Sequence, residues 1–326
     1  MAYSKSTIKK LSVVISVYNE ERSLESFWRE LQNVLNNINF ICEIIFVNDG
    51  SIDKSQEIID SILCEENQFL VKSIQLTRSY GHEAAMIAGI DNSNGDLLIC
   101  MDSDLQHPPN KIPEMIAKNS EGYDVVIMMQ NKRFDKRIVK KYLSQLFYNL
   151  LNIISEFNFE LNGTDFFLIS ERVVDILKTN YRESNRFLRG YIQIMGFSKA
   201  SLSFDVNKRS EGESKYSFRN LVKLAITALT SFSKTPLYFG LIIGLIFMIF
   251  SIAGGIYTFL NYIFDKSVPS GYTTIVMFLC FCFAVLYIII GISAIYIGSI
   301  YEENQMRPVY IVKSINISKG GNEKYL

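Results

Sequence analysis

Asp102-Ser103-Asp104 sets two carboxylates one residue apart, directly after the apolar run Leu97-Leu98-Ile99-Cys100-Met101, which reads as a buried strand. Carboxylates at that spacing, just past a strand, can meet one hard divalent cation such as Mg²⁺ or Mn²⁺ through oxygen ligands. Such a cation keeps coordination positions free for substrate phosphates. Asp and Ser are also ordinary turn formers, so the meaning of the triplet depends on what the chain brings beside it.

The elements that must position it follow from periodicity. Apolar runs at 11–18, 43–47, 70–76, 97–101 and 124–128 read as strands, and 21–36, 53–65, 82–91 and 109–119 read as helices between them. Continuous apolar strands alternating with helices predict a parallel sheet covered on both faces. Ligands of such sheets bind beyond the carboxyl ends of the strands. Three polar clusters stand there: Tyr18-Asn19-Glu20, Asn48-Asp49-Gly50-Ser51 and Asp102-Ser103-Asp104. Asp53 is placed to cap the next helix. No GxGxxG follows the first strand and no GxxxxGK[ST] occurs, so neither a dinucleotide site nor a P-loop is signalled.

Lys plus Arg equals Asp plus Glu at 33 each, so no overall field favours nucleic acid as a partner. Residues 235–264 and 267–301 carry no charge, and each stretch exceeds the roughly 20 residues a helix needs to cross a bilayer. With the short connection between them they predict a transmembrane hairpin, spanning about 236–260 and 274–299 within 235–301. Lys215, Arg219, Lys223 and Lys234 before it, and Arg307 and Lys313 after it, put residues 1–215, the tail 302–326 and both termini in the cytoplasm. Phe218, Val222, Ala225, Leu229 and Phe232 recur at helical spacing, which predicts an amphipathic juxtamembrane helix over 216–234. The apolar run 11–17 is too short and too soon followed by Glu20 and Glu21 for a signal peptide. Five cysteines show no zinc-ligand spacing and are expected reduced. His82 and His107 form no metal pair by spacing and suit helix-start or loop roles.

Read together and in order, Val17-Tyr18-Asn19-Glu20-Glu21, Val47-Asn48-Asp49-Gly50-Ser51 and Met101-Asp102-Ser103-Asp104-Leu105-Gln106-His107-Pro108-Pro109 resemble glycosyltransferase family 2. The narrower resemblance is to polyprenyl-phosphate glycosyltransferases, the group of dolichyl-phosphate mannose synthase and the bactoprenol glucosyltransferases. It continues through Arg78-Ser79-Tyr80-Gly81-His82, Asn162-Gly163-Thr164-Asp165-Phe166, Arg186-Phe187-Leu188-Arg189-Gly190, Arg209 with Gly212-Glu213-Ser214-Lys215-Tyr216, and Arg307-Pro308-Val309-Tyr310. The segment Gln130-Asn131-Lys132-Arg133 departs from the pattern, since related proteins carry an arginine pair there.

The resemblance implies an α/β GT-A catalytic domain with a Rossmann-like, mostly parallel sheet, and a nucleotide-sugar donor, UDP-glucose before others. Tyr18, Asn19, Glu20, Asp49 and Asp102 would line the nucleotide pocket, and Asp102 with Asp104 would hold Mg²⁺ or Mn²⁺. Asp165 and Asp104 would be the catalytic carboxylates, and Arg133, Arg209, Ser214 and Lys215 would bind the acceptor phosphate. The implied reaction is inverting transfer of one sugar to undecaprenyl or another polyprenyl phosphate at the cytoplasmic face of a bacterial inner membrane. A homotetramer is implied too. A phosphate monoester is largely ionised near neutral pH, its second pKa being about 6, so this acceptor needs cations more than a base, and Asp165 is expected to orient rather than deprotonate. Alternatives are GDP-mannose or another UDP-sugar as donor, or a catalytically silent scaffold or flippase partner. A processive polysaccharide synthase is disfavoured because its Gln-x-x-Arg-Trp motif is absent, Trp28 being the only tryptophan.

Overall fold

The computed structural model describes residues 10–66, 68–130, 163–183, 188–205, 235–265 and 271–318, which fall into two compact units. The first carries an eight-stranded mixed sheet. Its strands are β1 (Lys10–Val17), β2 (Ile41–Asn48), β3 (Leu70–Leu76), β4 (Leu97–Asp102), β5 (Val125–Gln130), β6 (Gly163–Ser170), β7 (Lys199–Phe204) and β8 (Val312–Ile317). They lie in the order β7-β5-β6-β4-β1-β2-β3-β8.

The four central strands β4-β1-β2-β3 are parallel. β1 and β2 are buried along almost their whole length, the pattern of strands covered on both faces. β6 runs antiparallel between β4 and β5. Because β6 runs the other way, its amino-terminal end shares an edge with the carboxyl end of β4, so Asp165 and Asp102 meet there. The register does the rest: Ser16 pairs with Asp102 and Val17 with Asn48.

Helices α1 (Leu24–Leu35), α2 (Ser55–Cys64), α3 (His82–Asp91) and α4 (Ile112–Ser120) alternate with the strands as the periodicity predicts. In α1 the buried Leu24, Phe27, Trp28, Leu31 and Leu35 recur at helical spacing and face the main core. In α3 every residue from Ala84 to Ile90 is buried. Its small residues let it press onto the sheet: a Cβ on Gly89 would lie 2.1 Å from a methyl carbon of Val14. Two further helices, α5 (Glu171–Thr179) and α6 (Leu188–Ile194), follow β6.

One part of the stretch read as a tail is structured. Val312–Ile317 joins the sheet edge as β8, antiparallel to β3, and Ser318 and Val71 exchange hydrogen bonds at its end. It has half-polar composition because one edge and one face stay open to solvent.

The second unit contains α7 (Thr235–Asp265) and α8 (Tyr272–Asn304), of 31 and 33 residues. Their contacts run in opposite directions. The Phe247 and Phe281 rings are 5.2 Å apart, and a Cβ on Gly240 would lie 3.6 Å from Ile289. Within α8, Phe281–Asn304 is long and apolar enough to cross a membrane, with a mean hydropathy of 2.4 and none of that window buried. The apolar segment of α7, Ile242–Gly254, is shorter. The expected juxtamembrane helix over 216–234 lies outside the described residues.

Candidate active site

Asp102 closes β4, and both its side chain and its backbone are held. The Ser16 hydroxyl donates to Asp102 Oδ1 at 2.8 Å. The Asp102 N–H donates to His107 Nδ1 at 2.9 Å, which leaves the His107 proton on Nε2. His107 is buried and stacks on Phe166 at 5.3 Å, so it serves the loop, one of the two roles its sequence position suits. Ser103 donates to the Ser16 carbonyl, Asp104 Oδ1 accepts the Gln106 N–H, and Leu105 takes a positive φ of 60°.

Asp165 stands on β6. Arg189 of α6 grips it with two bonds, Nε to Oδ1 at 3.1 Å and Nη2 to Oδ2 at 2.9 Å, and also donates to the Gly163 carbonyl. Burial alone would raise the Asp165 pKa. The Arg189 guanidinium, and then His82, pull it below the ordinary carboxylate value.

Between Asp102 and Asp165 lies a residue whose sequence position suits a helix start or a loop. His82 does begin α3, but its Nδ1 is 3.0 Å from Ser16 Oγ and 3.4 Å from Asp102 Oδ1, while its Nε2 is 3.6 Å from Asp165 Oδ2. The Ser16 hydrogen is already directed at Asp102, so Ser16 accepts from His82 Nδ1–H. The Nε2 atom is shut off from solvent and has no hydrogen-bond partner among the described residues. Burial opposes charge on this ring, yet the Asp102 and Asp165 carboxylates outweigh it and raise the His82 pKa above its ordinary value. Its neighbour Glu83 accepts the Leu188 N–H at 2.9 Å. Burial, and then the Asp165 charge, push the Glu83 pKa up to about 7. The signal that could have found His82 was its place at the start of a helix on the same sheet edge as both carboxylates.

The first two polar clusters are stitched together. The Asn19 N–H donates to Ser51 Oγ, the Ile52 N–H to Asn19 Oδ1, and the Glu20 N–H to Ser55 Oγ. Asn19 holds a positive φ of 56°, a conformation its short amide tolerates. Tyr18 is exposed beside them. Asp49 is buried, and both its oxygens already accept hydrogen bonds, from Ser79 Oγ, Tyr80 N–H and Gly81 N–H. Asp53 accepts from the Glu21 and Ser55 N–H groups at the start of α2. Arg133, Arg209, Ser214 and Lys215 lie outside the described residues.

Among the described residues no three His, Cys, Asp or Glu side chains gather as a metal cage. Asp102 and Asp104 offer carboxylate oxygens without one. That donor set fits a hard cation that completes its shell with phosphate and water.

A mostly parallel α/β sheet with acidic residues gathered at the carboxyl edge defines the class, and sequence comparison gives the family. The family model "Glycosyl transferase family 2" matches residues 12–177, and the chain belongs to that family. It is a glycosyltransferase with a GT-A-like mixed sheet. An uncharacterized glycosyltransferase, YkcC, of Bacillus subtilis (strain 168) is 33% identical, over 93% of each chain. The prophage bactoprenol glucosyl transferase homolog of Escherichia coli (strain K12) is 32% identical over 94% of this chain and 99% of its own. The bactoprenol glucosyl transferase of Shigella phage SfX is 33% identical over the same shares. Among solved structures, the glucosyl-3-phosphoglycerate synthase of Mycobacterium tuberculosis is similar over 68% of this chain and 78% of its own. The identity there is 15% and the TM-score 0.46, too distant to bear on function.

Proposed function

We propose that this glycosyltransferase moves a single sugar from a nucleotide-sugar, UDP-glucose, to undecaprenyl phosphate, with inversion, at the cytoplasmic face of a bacterial inner membrane. The observation that carries this reading is the meeting of Asp102 and Asp165 at one sheet edge, with Asp165 held as a carboxylate by Arg189. Full-length relatives named bactoprenol glucosyl transferase support the acceptor and the sugar.

Arg189 keeps Asp165 ionised and makes it a weak base, which suits an acceptor that is already an anion. Asp165 then orients the sugar or the acceptor, its own position fixed by the Arg189 fork. Tyr18, Asn19 and Glu20 line the nucleotide. Asp102 and Asp104 would hold Mg²⁺ or Mn²⁺, which would neutralise the charge that develops on the leaving nucleoside diphosphate. Arg133, Arg209, Ser214 and Lys215 receive the lipid phosphate, so that its charge is not buried unpaired. α7 and α8 both cross the bilayer, with the sheet and both termini on the cytoplasmic side, and four copies assemble.

The test is direct. Purified protein is incubated with undecaprenyl phosphate, Mn²⁺ or Mg²⁺, and a panel of UDP- and GDP-sugars, and mass spectrometry looks for a lipid-phosphate-sugar. The expected product comes from UDP-glucose and disappears with chelator. Product from another donor corrects the sugar. No product from any donor, with folded protein and intact lipid, overturns the reaction.

A further inference from the structure

The first two residues of α3 both bear on Asp165, by different routes. His82 faces Asp165 Oδ2 directly, with Nε2 at 3.6 Å. Glu83 reaches another helix: its Oε2 accepts the Leu188 N–H at 2.9 Å. Leu188 begins α6, and the residue after it is Arg189, whose fork grips Asp165 and whose third bond goes to the Gly163 carbonyl.

α6 is only seven residues long, so it holds itself weakly and its first N–H groups need partners from outside it. Leu188, Tyr191 and Ile192 are buried and share one face at helical spacing, and the Tyr191 ring lies 5.1 Å from that of Tyr181. Such a face fixes which side of the helix is buried. It does not fix how far the helix slides along its own axis, because apolar contacts are non-directional. The Leu188–Glu83 bond is directional and sits beside Arg189, so it sets the slide. The fork needs that setting, since a slip of about 1 Å would carry its bonds of 3.1 and 2.9 Å out of hydrogen-bond range. Glu83 suits this task as an acceptor more than as a charge. Burial, and then the Asp165 charge, push its pKa up to about 7, so near neutral pH about half of it is protonated.

We propose that Glu83 is a positioning residue that docks the start of α6 onto the start of α3 and so holds Arg189 in its grip on Asp165. The proposal deepens the sugar-transfer reading and, for its kinetic consequences, rests on it. Two substitutions separate reach from charge. Glu83→Gln keeps the length and an acceptor oxygen without the charge, whereas Glu83→Asp keeps the charge and withdraws the acceptor by one methylene. Glu83→Gln should keep kcat within about threefold, and Glu83→Asp should lower it at least about tenfold. KM for the nucleotide-sugar should change by less than about threefold in both. A slow Glu83→Gln overturns the proposal, because the charge then matters, and so does a Glu83→Asp of normal rate.

Two further measurements keep the test decisive. Arg189→Lys cannot form the fork and should already be slow, so adding Glu83→Asp should slow it by less than about twofold more. Losses that multiply overturn the proposal. Should Glu83→Asp not fold, Glu83→Met keeps the length without a strong acceptor and carries the same expectation. Hydrogen–deuterium exchange over 188–194 needs no turnover. It should quicken at least about tenfold in Glu83→Asp and stay at the wild-type rate in Glu83→Gln. Equal exchange in the two variants overturns the proposal, whereas a wild type that transfers no sugar while this contrast holds overturns only the reaction.

Discussion

Two polar networks sit at opposite edges of the same sheet, with β1 running between them. At the amino-terminal end, Lys72 of β3 pairs with Glu43 Oε1 of β2 and also donates to the Asn92 carbonyl. Glu43 Oε2 accepts from Ser12 of β1 and from the Asn94 N–H after α3. Each atom in this group has a partner, and the Lys72 and Glu43 side chains are 12% and 8% exposed. At the carboxyl end, Asp102, His82 and Asp165 are 29%, 36% and 20% exposed, and His82 Nε2 has no hydrogen-bond partner among the described residues. A closed network holds strands together. The carboxyl-end network is left incomplete, its carboxylates partly exposed and His82 Nε2 buried without a partner among the described residues, and Ser16 and Arg189 hold its members in place.

The largest effect that would sharpen this contrast is Asp104→Asn. Transfer should fall by about 10²–10³-fold with the melting temperature almost unchanged, because Asp104 lies on the loop after β4 and not in the core. Normal turnover would remove the acidic pair from the site. Asp165→Asn should come next, with kcat about 10²-fold lower and donor KM little altered. Near-normal kcat would remove Asp165 from both an orienting and a basic role.

Glu83 tests the open end through pH. Its pKa in the fold, about 7, lies above its ordinary 4.5, so the folded state binds its proton more tightly. The stability this gives is complete below about pH 4.5 and is lost as pH rises through about 7. Glu83→Gln cannot titrate. Its melting temperature should therefore fall less between pH 5 and pH 8 than that of the wild type, and an identical fall would contradict the assignment. The smallest effect belongs to Tyr310→Phe. Tyr310 donates to Asp91 at 2.7 Å beside the Arg182–Asp91 pair, and Val309 packs on Ala84 and Ile87 of α3. Losing that hydroxyl should cost about 1 kcal/mol and a few degrees of melting temperature, at unchanged activity.

Legibility in the sequence followed how much each segment advertises its own burial. β1 to β5 and α1 to α4 were readable because their apolar runs repeat with the period of the element. β7 and β8 were not, because they lie at the sheet edges with alternating or mostly exposed side chains, and short half-polar runs resemble loops. β6 was hidden by its polar start, Gly163-Thr164-Asp165, where chemistry displaced apolar residues. In the site, Asp102 and Asp104 could be found from their spacing only together with the polar clusters that close the neighbouring strands. The place of His82 depends on Ser16, Asp102 and Asp165, all distant from it in the chain, and no local pattern encodes those contacts.

The contrast between the two ends is tested most directly by one paired measurement, the sugar-transfer rate and melting temperature of His82→Gln and Glu43→Gln side by side. His82→Gln should lose rate by at least about tenfold and keep its melting temperature. Glu43→Gln should keep its rate per folded molecule and lose about 3–5 kcal/mol of stability, as expected when one partner of a buried ion pair is removed. A His82 variant that transfers sugar normally, or a Glu43 variant that melts normally but is slow, would contradict the division of labour between the two ends of the sheet.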